Sequence, residues 1–236
     1  MKSCLILFDI DGTMLDTGGA GIGALQNGFA AAFPSAYQTR EFPVLELGGA
    51  TDGGLLHFLL DTYQIPWAAE HEESFYLKYL EQLKPALEES YRKKLGRKLP
   101  GVVELIDTLA ESPHHLGLLT GNIGRAAHLK LRSFQFRSDV FAAGAFGDDH
   151  HDRNQLGPIA IDRAQKVYGR SFHPDEVFIL GDTLKDIACA RACGARVIAV
   201  ATGAHDYETL KDAEPDFLFR DFNDYQSVLK TTGLVA

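Results

Sequence analysis

The chain has 236 residues, of which 45% are hydrophobic and 23% are charged, values that are ordinary for a globular protein and exclude a mainly disordered or fibrous one. Its 23 Lys and Arg residues against 32 Asp and Glu residues give a formal net charge of −9, which argues against nucleic acid or an anionic membrane as partner, because both attract a surplus of cations. No run reaches the ~20 apolar residues of a membrane span. The N-terminal apolar run is soon followed by acidic residues, which is unlike a signal peptide. We therefore expect a cytoplasmic protein.

Short apolar runs predict the strands of a sheet. They lie, in chain order, at residues 4–8, 116–119, 177–180, 196–200 and 217–219. Most are continuously apolar rather than alternating, which is typical of parallel strands covered on both faces. Helical patterns stand between them at residues 101–111, 124–131, 159–168 and 184–193. This alternation predicts an α/β fold with a Rossmann-like, doubly wound parallel sheet.

The interval of residues 16–97 interrupts that rhythm. It contains three predicted helices, near residues 22–33, 53–63 and 68–88, and no convincing strand. Gly18 and Gly19 stand at one end of the interval, and Gly96 and Pro100 stand at the other. We therefore expect a helical cap domain at residues 16–97, inserted into a core made of residues 1–15 and 98–236.

Two carboxylates follow the first predicted strand. Asp9 comes directly after the apolar run, Asp11 lies two residues further on, and Gly12 permits a tight turn. In a parallel sheet the carboxyl ends of the strands line the ligand crevice, so both acids are expected there. Because adjacent carboxylates repel, a cation or a shared proton is needed between them. An ordinary Asp-Gly turn after a strand is the alternative interpretation.

A second pair of acids follows the predicted strand at residues 177–180. Asp182 ends this strand, and Asp186 is four residues later, on the same face of the next predicted helix. The alternative is that Asp182 merely caps that helix. With Asp9 and Asp11, four acids would gather at neighbouring strand ends. A hard divalent cation such as Mg²⁺, which prefers oxygen ligands, explains such a cluster.

A third signal is the tripeptide Thr120-Gly121-Asn122, which follows a strand and precedes a helix. A hydroxyl group and free backbone N–H groups at the start of a helix form an anion site. A threonine helix cap with a glycine turn is the alternative interpretation.

The three motifs together resemble those of the haloacid-dehalogenase-like (HAD) hydrolase superfamily. They occur in the family's order as Asp9-x-Asp11-Gly12-Thr13, Thr120-Gly121-Asn122 and Gly181-Asp182-Thr183-x-x-Asp186. The helical insertion resembles the family's type 1 alpha-helical cap. Residues 48–52 and 99–102 are similar to the phosphoglycolate-phosphatase-like members.

The resemblance implies a chemistry for the two N-terminal acids. Asp9 would be the nucleophile that attacks phosphorus and becomes an aspartyl-phosphate, which an ionised carboxylate can do without an activating base. Asp11 would protonate the leaving group and later deprotonate the attacking water. True dehalogenases do not keep an aspartate at this second position, since halide departure needs no proton, so Asp11 favours phosphate transfer.

The resemblance also implies the ligands. Mg²⁺ would be held by the Asp9 carboxylate, the Asp11 backbone carbonyl and the Asp182 carboxylate, with Asp186 in support. The phosphoryl oxygens would be held by Thr120 and by the backbone N–H groups of Gly121 and Asn122.

One departure from the family pattern concerns a cation. The family often supplies a lysine in a Lys-Pro-x-Pro stretch before the last catalytic strand, and the matching segment here is residues 152–158, which contains no lysine. If Pro158 takes the place of the second proline, the lysine position falls on Gln155. We expect Arg153 to supply the charge, since a guanidinium suits phosphate. Lys185 is the reserve candidate, although its position on the helix points toward solvent.

These observations predict an Mg²⁺-dependent phosphatase for a small phosphorylated metabolite. A phosphomutase on the same fold and a non-catalytic binding or regulatory protein, in which the missing lysine signals lost chemistry, are the alternatives. No motif in residues 16–97 identifies the leaving group, and the sequence predicts no oligomeric state.

Overall fold

The computed structural model describes residues 3–235, so residues 1–2 and 236 of the predicted core lie outside the described residues. Its strands are β1 (Leu5–Phe8), β2 (Leu15–Asp16), β3 (Arg97–Lys98), β4 (His115–Leu119), β5 (Phe141–Ala145), β6 (Val177–Gly181), β7 (Arg196–Val200) and β8 (Phe217–Phe219). Six of them form a parallel sheet in the order β5-β4-β1-β6-β7-β8. The predicted α/β fold with a doubly wound parallel sheet is confirmed.

The continuous apolar run of β1 reflects burial on both faces of the sheet. Leu5 and Leu7 point to one face and Ile6 and Phe8 to the other, and none of the four is exposed. Each such side chain stabilises the fold by about 1.5–3 kcal/mol. The central position of β1 therefore follows from its composition, because only a strand with neighbours on every side buries four large residues in succession.

The helices of the core cover both faces of the sheet. They are α5 (Val102–Ala110), α6 (Gly124–Ser133), α7 (Leu156–Tyr168), α8 (Leu184–Cys193), α9 (Tyr207–Asp212) and α10 (Tyr225–Thr232). Residues of α5, α6 and α10 pack on the Ile6 face, and residues of α7, α8 and α9 pack on the Leu5 face. The helix predicted at residues 184–193 is confirmed, and it ends at Gly194 in the left-handed conformation.

Two structures were not predicted from the sequence. Strand β5 lies at the edge of the sheet, and its Ala- and Gly-rich sequence has low strand propensity, so only its pairing with β4 defines it. The antiparallel pair of β2 and β3 has two residues per strand, too few for a periodic pattern.

The segment between β2 and β3 is helical. It contains α1 (Ala20–Ala32), α2 (Pro34–Tyr37), α3 (Asp52–Thr62) and α4 (Ala69–Arg92). Phe29 on α1 packs edge-on against Phe75 on α4, with ring centroids 6.4 Å apart, and both rings are fully buried. Asp16 and Arg97 are cross-strand partners, so the helical segment begins and ends at one place. Within residues 3–235, no helix is both long and apolar enough to cross a bilayer.

Candidate active site

The strand register brings the three motifs to one edge of the sheet. Phe8 of β1 is level with Leu118 of β4 and with Leu180 of β6. The residues just beyond these strand ends therefore lie side by side, and the N–H of Asp9 donates to the Leu180 carbonyl at 2.9 Å. The motifs are distant in sequence but are brought together by parallel pairing.

A tight turn follows Asp9. The Ile10 carbonyl accepts hydrogen bonds from the N–H groups of Thr13, Met14 and Leu15, at 3.3, 2.8 and 3.0 Å. Gly12 has a φ of 79°, and a Cβ built there would lie 2.4 Å from Asp182 Oδ2. A side chain at position 12 would thus be strained and would displace the Asp182 carboxylate, so the turn requires glycine.

Three buried carboxylates converge beyond the turn. Oxygens of Asp9, Asp182 and Asp186 lie within 4.8 Å of one another. Arg153 lies among them, because its Nη2 is 3.4 Å from Asp9 Oδ1 and donates to Asp186. Burial raises the pKa of Asp9 to about 6, and Asp186 and Asp11 add to the shift while Arg153 opposes it. Burial also holds the pKa of Asp182 well above its usual range, helped by Asp186 and Asp9.

The donor set fits a hard divalent cation. All the converging groups are carboxylates, and the single guanidinium among them leaves negative charge uncompensated. Asp186 already accepts hydrogen bonds from Arg153 and from the N–H and hydroxyl of Thr183, the latter two at 3.0 and 2.6 Å. Asp182 accepts from the Ala204 N–H at 2.7 Å and from the Thr13 hydroxyl at 3.3 Å. Asp186 is thus better placed to orient Arg153 and Thr183 than to bind an ion itself.

The Asp11 side chain turns away from this cluster and pairs with a lysine that sequence reasoning missed. Lys130 Nζ lies 2.8 and 2.7 Å from the two Asp11 carboxylate oxygens and 2.5 Å from Asn122 Oδ1. Asn122 Nδ2 donates to Asp11 Oδ2 at 2.7 Å. Both Lys130 and Asn122 are buried, while the Asp11 side chain is 41% exposed and faces the cavity.

A sequence signal for Lys130 does exist. Ala126, Ala127, Leu131 and Phe134 recur at helical spacing and are all fully buried. Lys130 belongs to the same buried stripe of α6. A lysine in such a stripe is rarely buried without a partner, which marks it as a candidate site residue.

The loop after β4 forms the opposite wall. The Thr120 hydroxyl oxygen accepts from the Asn122 N–H at 3.3 Å and from Asn122 Nδ2 at 2.8 Å. Thr120, Gly121 and Asn122 line a cavity of about 410 Å³, and its lining also includes Asp9, Asp11, Asp182, Lys130 and Arg153. The structure thus brings the predicted anion loop to the predicted carboxylates.

The two predicted replacements for the family lysine are placed differently. Arg153 is buried, with its Nη1 3.4 Å from the Gly49 carbonyl, and its Nε has no hydrogen-bond partner among the described residues. Lys185 is exposed on α8, and Gln155 is exposed as well. Of the predicted candidates, Arg153 is the one that contacts Asp9.

The N-terminus of α3 docks directly onto the anion loop. The Asp52 N–H donates to the Gly121 carbonyl at 2.7 Å, and Asp52 Oδ2 accepts from the Ile123 N–H at 2.9 Å. Burial raises the pKa of Asp52 to about 6, and the nearby Lys130 partly opposes this shift. The sequence analysis included Asp52 in the segment of residues 48–52 but gave it no role in the site, because its partner Ile123 is 71 positions away along the chain.

Comparison with known proteins identifies the family of the chain. Residues 6–200 match the family model of the haloacid dehalogenase-like hydrolases, and the chain belongs to that family, as the motifs predicted. It is 25% identical to the pyrophosphatase PpaX of Anoxybacillus flavithermus, over 97% of each chain. It is 24% identical to a phosphoglycolate phosphatase of Mannheimia succiniciproducens, over 95% of this chain and 97% of the relative.

A solved structure has the same fold. The β-phosphoglucomutase of Clostridium difficile superimposes with a TM-score of 0.71 at 14% identity, covering 99% of this chain and 98% of that one. At this identity the likeness concerns the fold. The protein is therefore an enzyme of the haloacid dehalogenase-like hydrolase class, with the α/β architecture of its structural neighbours.

Proposed function

We propose that this protein is an Mg²⁺-dependent phosphatase that hydrolyses a small phosphorylated metabolite through an aspartyl-phosphate on Asp9. The observation that carries the proposal is the buried Asp9 carboxylate, which lies beside Asp182 and Asp186 and opens into a cavity lined by the anion loop. The names of the relatives, a pyrophosphatase and a phosphoglycolate phosphatase, support phosphate transfer.

In the first step an Asp9 carboxylate oxygen attacks phosphorus. The bond between phosphorus and the ester oxygen breaks, its electron pair stays on the leaving oxygen, and Asp11 supplies the proton. In the second step water attacks the aspartyl-phosphate, Asp11 accepts a proton from that water, and Asp9 and inorganic phosphate are released. Acid/base help of this kind contributes about 10²–10⁴-fold. Lys130 and Asn122 hold the Asp11 carboxylate in position for both steps.

The ion would be held by the carboxylates of Asp9 and Asp182 and by the Asp11 backbone carbonyl, with Asp186 orienting Arg153. When bound, Mg²⁺ supplies positive charge that offsets the charge developing on the phosphoryl group. Thr120, Gly121, Asn122 and Arg153 would bind the phosphoryl oxygens, because phosphoryl transfer depends chiefly on positioning and electrostatic stabilisation.

Residues 16–97 would act as the cap and residues 1–15 and 98–236 as the catalytic core. A cap over the cavity excludes bulk water and limits substrates to small molecules. A cytoplasmic location fits a substrate drawn from metabolism.

The test is hydrolysis of p-nitrophenyl phosphate by the wild type and by Asp9→Asn, with Mg²⁺ and with EDTA. We expect turnover by the wild type only with Mg²⁺ and without any bisphosphate activator, and a loss of about 10³-fold or more in Asp9→Asn. The matched control is Asp162→Asn, which removes an exposed carboxylate paired with Lys166.

Two outcomes would contradict the proposal. A strict requirement for a sugar bisphosphate would favour the phosphomutase alternative. Equal and negligible rates in the wild type and Asp9→Asn over a varied panel of phosphate esters would favour a non-catalytic protein.

A further inference from the structure

We infer that the site selects phosphate monoesters of small, uncharged alcohols and discriminates against leaving groups that carry their own carboxylate or phosphate. The inference rests on the proposed phosphatase function and deepens it by naming the substrate class. It follows from the distribution of charge around the cavity.

The part of the cavity beyond the reacting carboxylates is largely apolar. Ile22 and Leu25 of α1, Leu47 of the segment before α3, Leu55 of α3 and Tyr79 of α4 line it. Leu25, Leu55 and Tyr79 are buried in the cap core, whereas Leu47 is 42% exposed. A leaving group bound here would contact hydrocarbon and aromatic surface, which favours an uncharged organic group over an ionised one.

The basic side chains among the residues lining the cavity are Lys130 and Arg153, and both already contact carboxylates. Lys130 has three N–H donors, and three acceptor oxygens, two of Asp11 and one of Asn122, lie within 2.8 Å of its Nζ. Arg153 contacts Asp186 and the proposed nucleophile Asp9, so it would contact the transferred phosphoryl group. Neither is free to bind a second anion on the leaving group.

Acidic side chains that line the cavity add to the discrimination against negatively charged leaving groups. Asp16 and Asp52 line the cavity in addition to Asp9, Asp11 and Asp182. Asp52 is buried and is positioned by its hydrogen bond from Ile123, so it cannot swing away into solvent. Asp16 is paired with Arg97 at 3.7 Å, so Asp52 contributes most of this charge. A carboxylate or second phosphate on the leaving group would face it in a partly desolvated space, without a free cation from the cavity lining to compensate it.

This selection differs from the substrates named for the two relatives, since glycolate carries a carboxylate and pyrophosphate has a phosphate as its leaving group. A matched pair of esters tests it directly. 2-Phosphoglycolate and its amide, 2-phosphoglycolamide, have nearly the same size and shape and differ by one negative charge. Two quantities are measured for each: kcat/KM with the wild type, and Kd with the Asp9→Asn variant in the presence of Mg²⁺.

We expect the amide to be favoured by at least about tenfold in both quantities. The Kd ratio is free of differences in leaving-group reactivity. Leu47→Lys, which adds a cation at the half-exposed edge of the cavity, should reduce the preference by about fivefold or more, and Leu47→Met should leave it unchanged.

The outcomes separate the two proposals. If 2-phosphoglycolate binds as well as the amide or better, or if neither ester binds, charge selection is overturned whether or not turnover occurs. If the wild type hydrolyses neither ester nor p-nitrophenyl phosphate, the phosphatase proposal fails, while the Kd ratio still decides whether the cavity selects uncharged groups.

Discussion

At the scale of single residues, the site divides its positive charge between two side chains with different partners. Arg153 lies against Asp9 and Asp186, and Lys130 lies against Asp11. Burial lowers the pKa of Arg153, but Asp186 and Asp9 outweigh this and raise it, so the guanidinium stays charged. The two cations therefore support different groups of the proposed reaction and have separable effects when they are replaced.

Replacing Lys130 with Met should lower kcat/KM by about 10²-fold, because Asp11 would lose its two contacts with the ammonium group and keep only the one with Asn122. The loss should fall mainly on kcat, since Lys130 is not proposed to contact the phosphoryl group. Lys166→Met, which removes an exposed lysine paired with Asp162, is the matched control and should change neither constant. A Lys130→Met enzyme with wild-type kcat would show that Asp11 needs no positioning by Lys130.

Replacing Arg153 with Ala should lower kcat/KM by about 10²-fold or more, because the phosphoryl group would lose a buried cation. Arg153→Lys, which keeps the charge but not the fork of donors, should fall between the wild type and Arg153→Ala. Thermal unfolding of each variant separates lost catalysis from lost folding, and Arg191→Ala provides an exposed arginine as control. A kcat/KM within twofold of wild type in Arg153→Ala would refute its role as the site's cation.

At the scale of elements, the N-terminus of α3 is in direct contact with the anion loop of residues 120–122. A Cβ on Gly121 would lie 1.9 Å from the Ala50 carbonyl oxygen, so Gly121→Ala must push α3 and the loop apart. We expect a loss of about 1–3 kcal/mol in the free energy of unfolding and of at least about tenfold in kcat/KM.

The matched control for this change is Gly124→Ala, at the start of α6. Its added Cβ would be 3.6 Å from the Phe146 ring, an ordinary contact, so it should leave stability and activity nearly unchanged. Measurement by urea unfolding and steady-state kinetics checks both variants. If Gly121→Ala behaved like Gly124→Ala, the contact between α3 and the anion loop would have no role in the active state.

At the scale of the whole molecule, the buried acids make stability depend on pH. The pKa of Asp52 is raised from 3.8 to about 6 by burial, so the folded protein binds more protons than the unfolded chain between these values. Its contribution to the free energy of unfolding is therefore greatest below about pH 4 and falls as pH rises through 6. The raised pKa of Asp9 acts in the same direction.

Asp52→Asn should consequently stabilise the protein at about pH 8, by on the order of 1–2 kcal/mol, and much less at about pH 5. The asparagine can still accept the hydrogen bond from the Ile123 N–H. Urea unfolding in EDTA at both pH values measures the change in the free energy of unfolding. Asp61→Asn on the exposed side of α3 is the control for simple charge removal. Destabilisation by Asp52→Asn at about pH 8 would show that the ionised carboxylate is a net favourable group.

The local sequence predicted the parts of this protein that depend on neighbouring residues. The apolar runs predicted five of the six strands of the main sheet. The helix at residues 184–193 ends at Gly194 because glycine adopts the left-handed conformation without strain. The sequence also predicted that Asp9, Asp182 and Thr120 lie at one edge of the sheet, since each follows directly on a buried strand.

Tertiary structure decided the features that depend on partners distant in sequence. Strand β5 exists through its pairing with β4, and Lys130 reaches Asp11 across 119 positions. Asp52, at the start of α3, meets Ile123 across 71 positions. Helical periodicity places Lys130 on the buried face of α6 but does not say which carboxylate lies opposite. Which carboxylate lies opposite Lys130 depends on how α6 packs on the sheet. The apolar wall of the cavity, which has few cations, likewise forms only when α1, α3 and α4 lie over the strand ends.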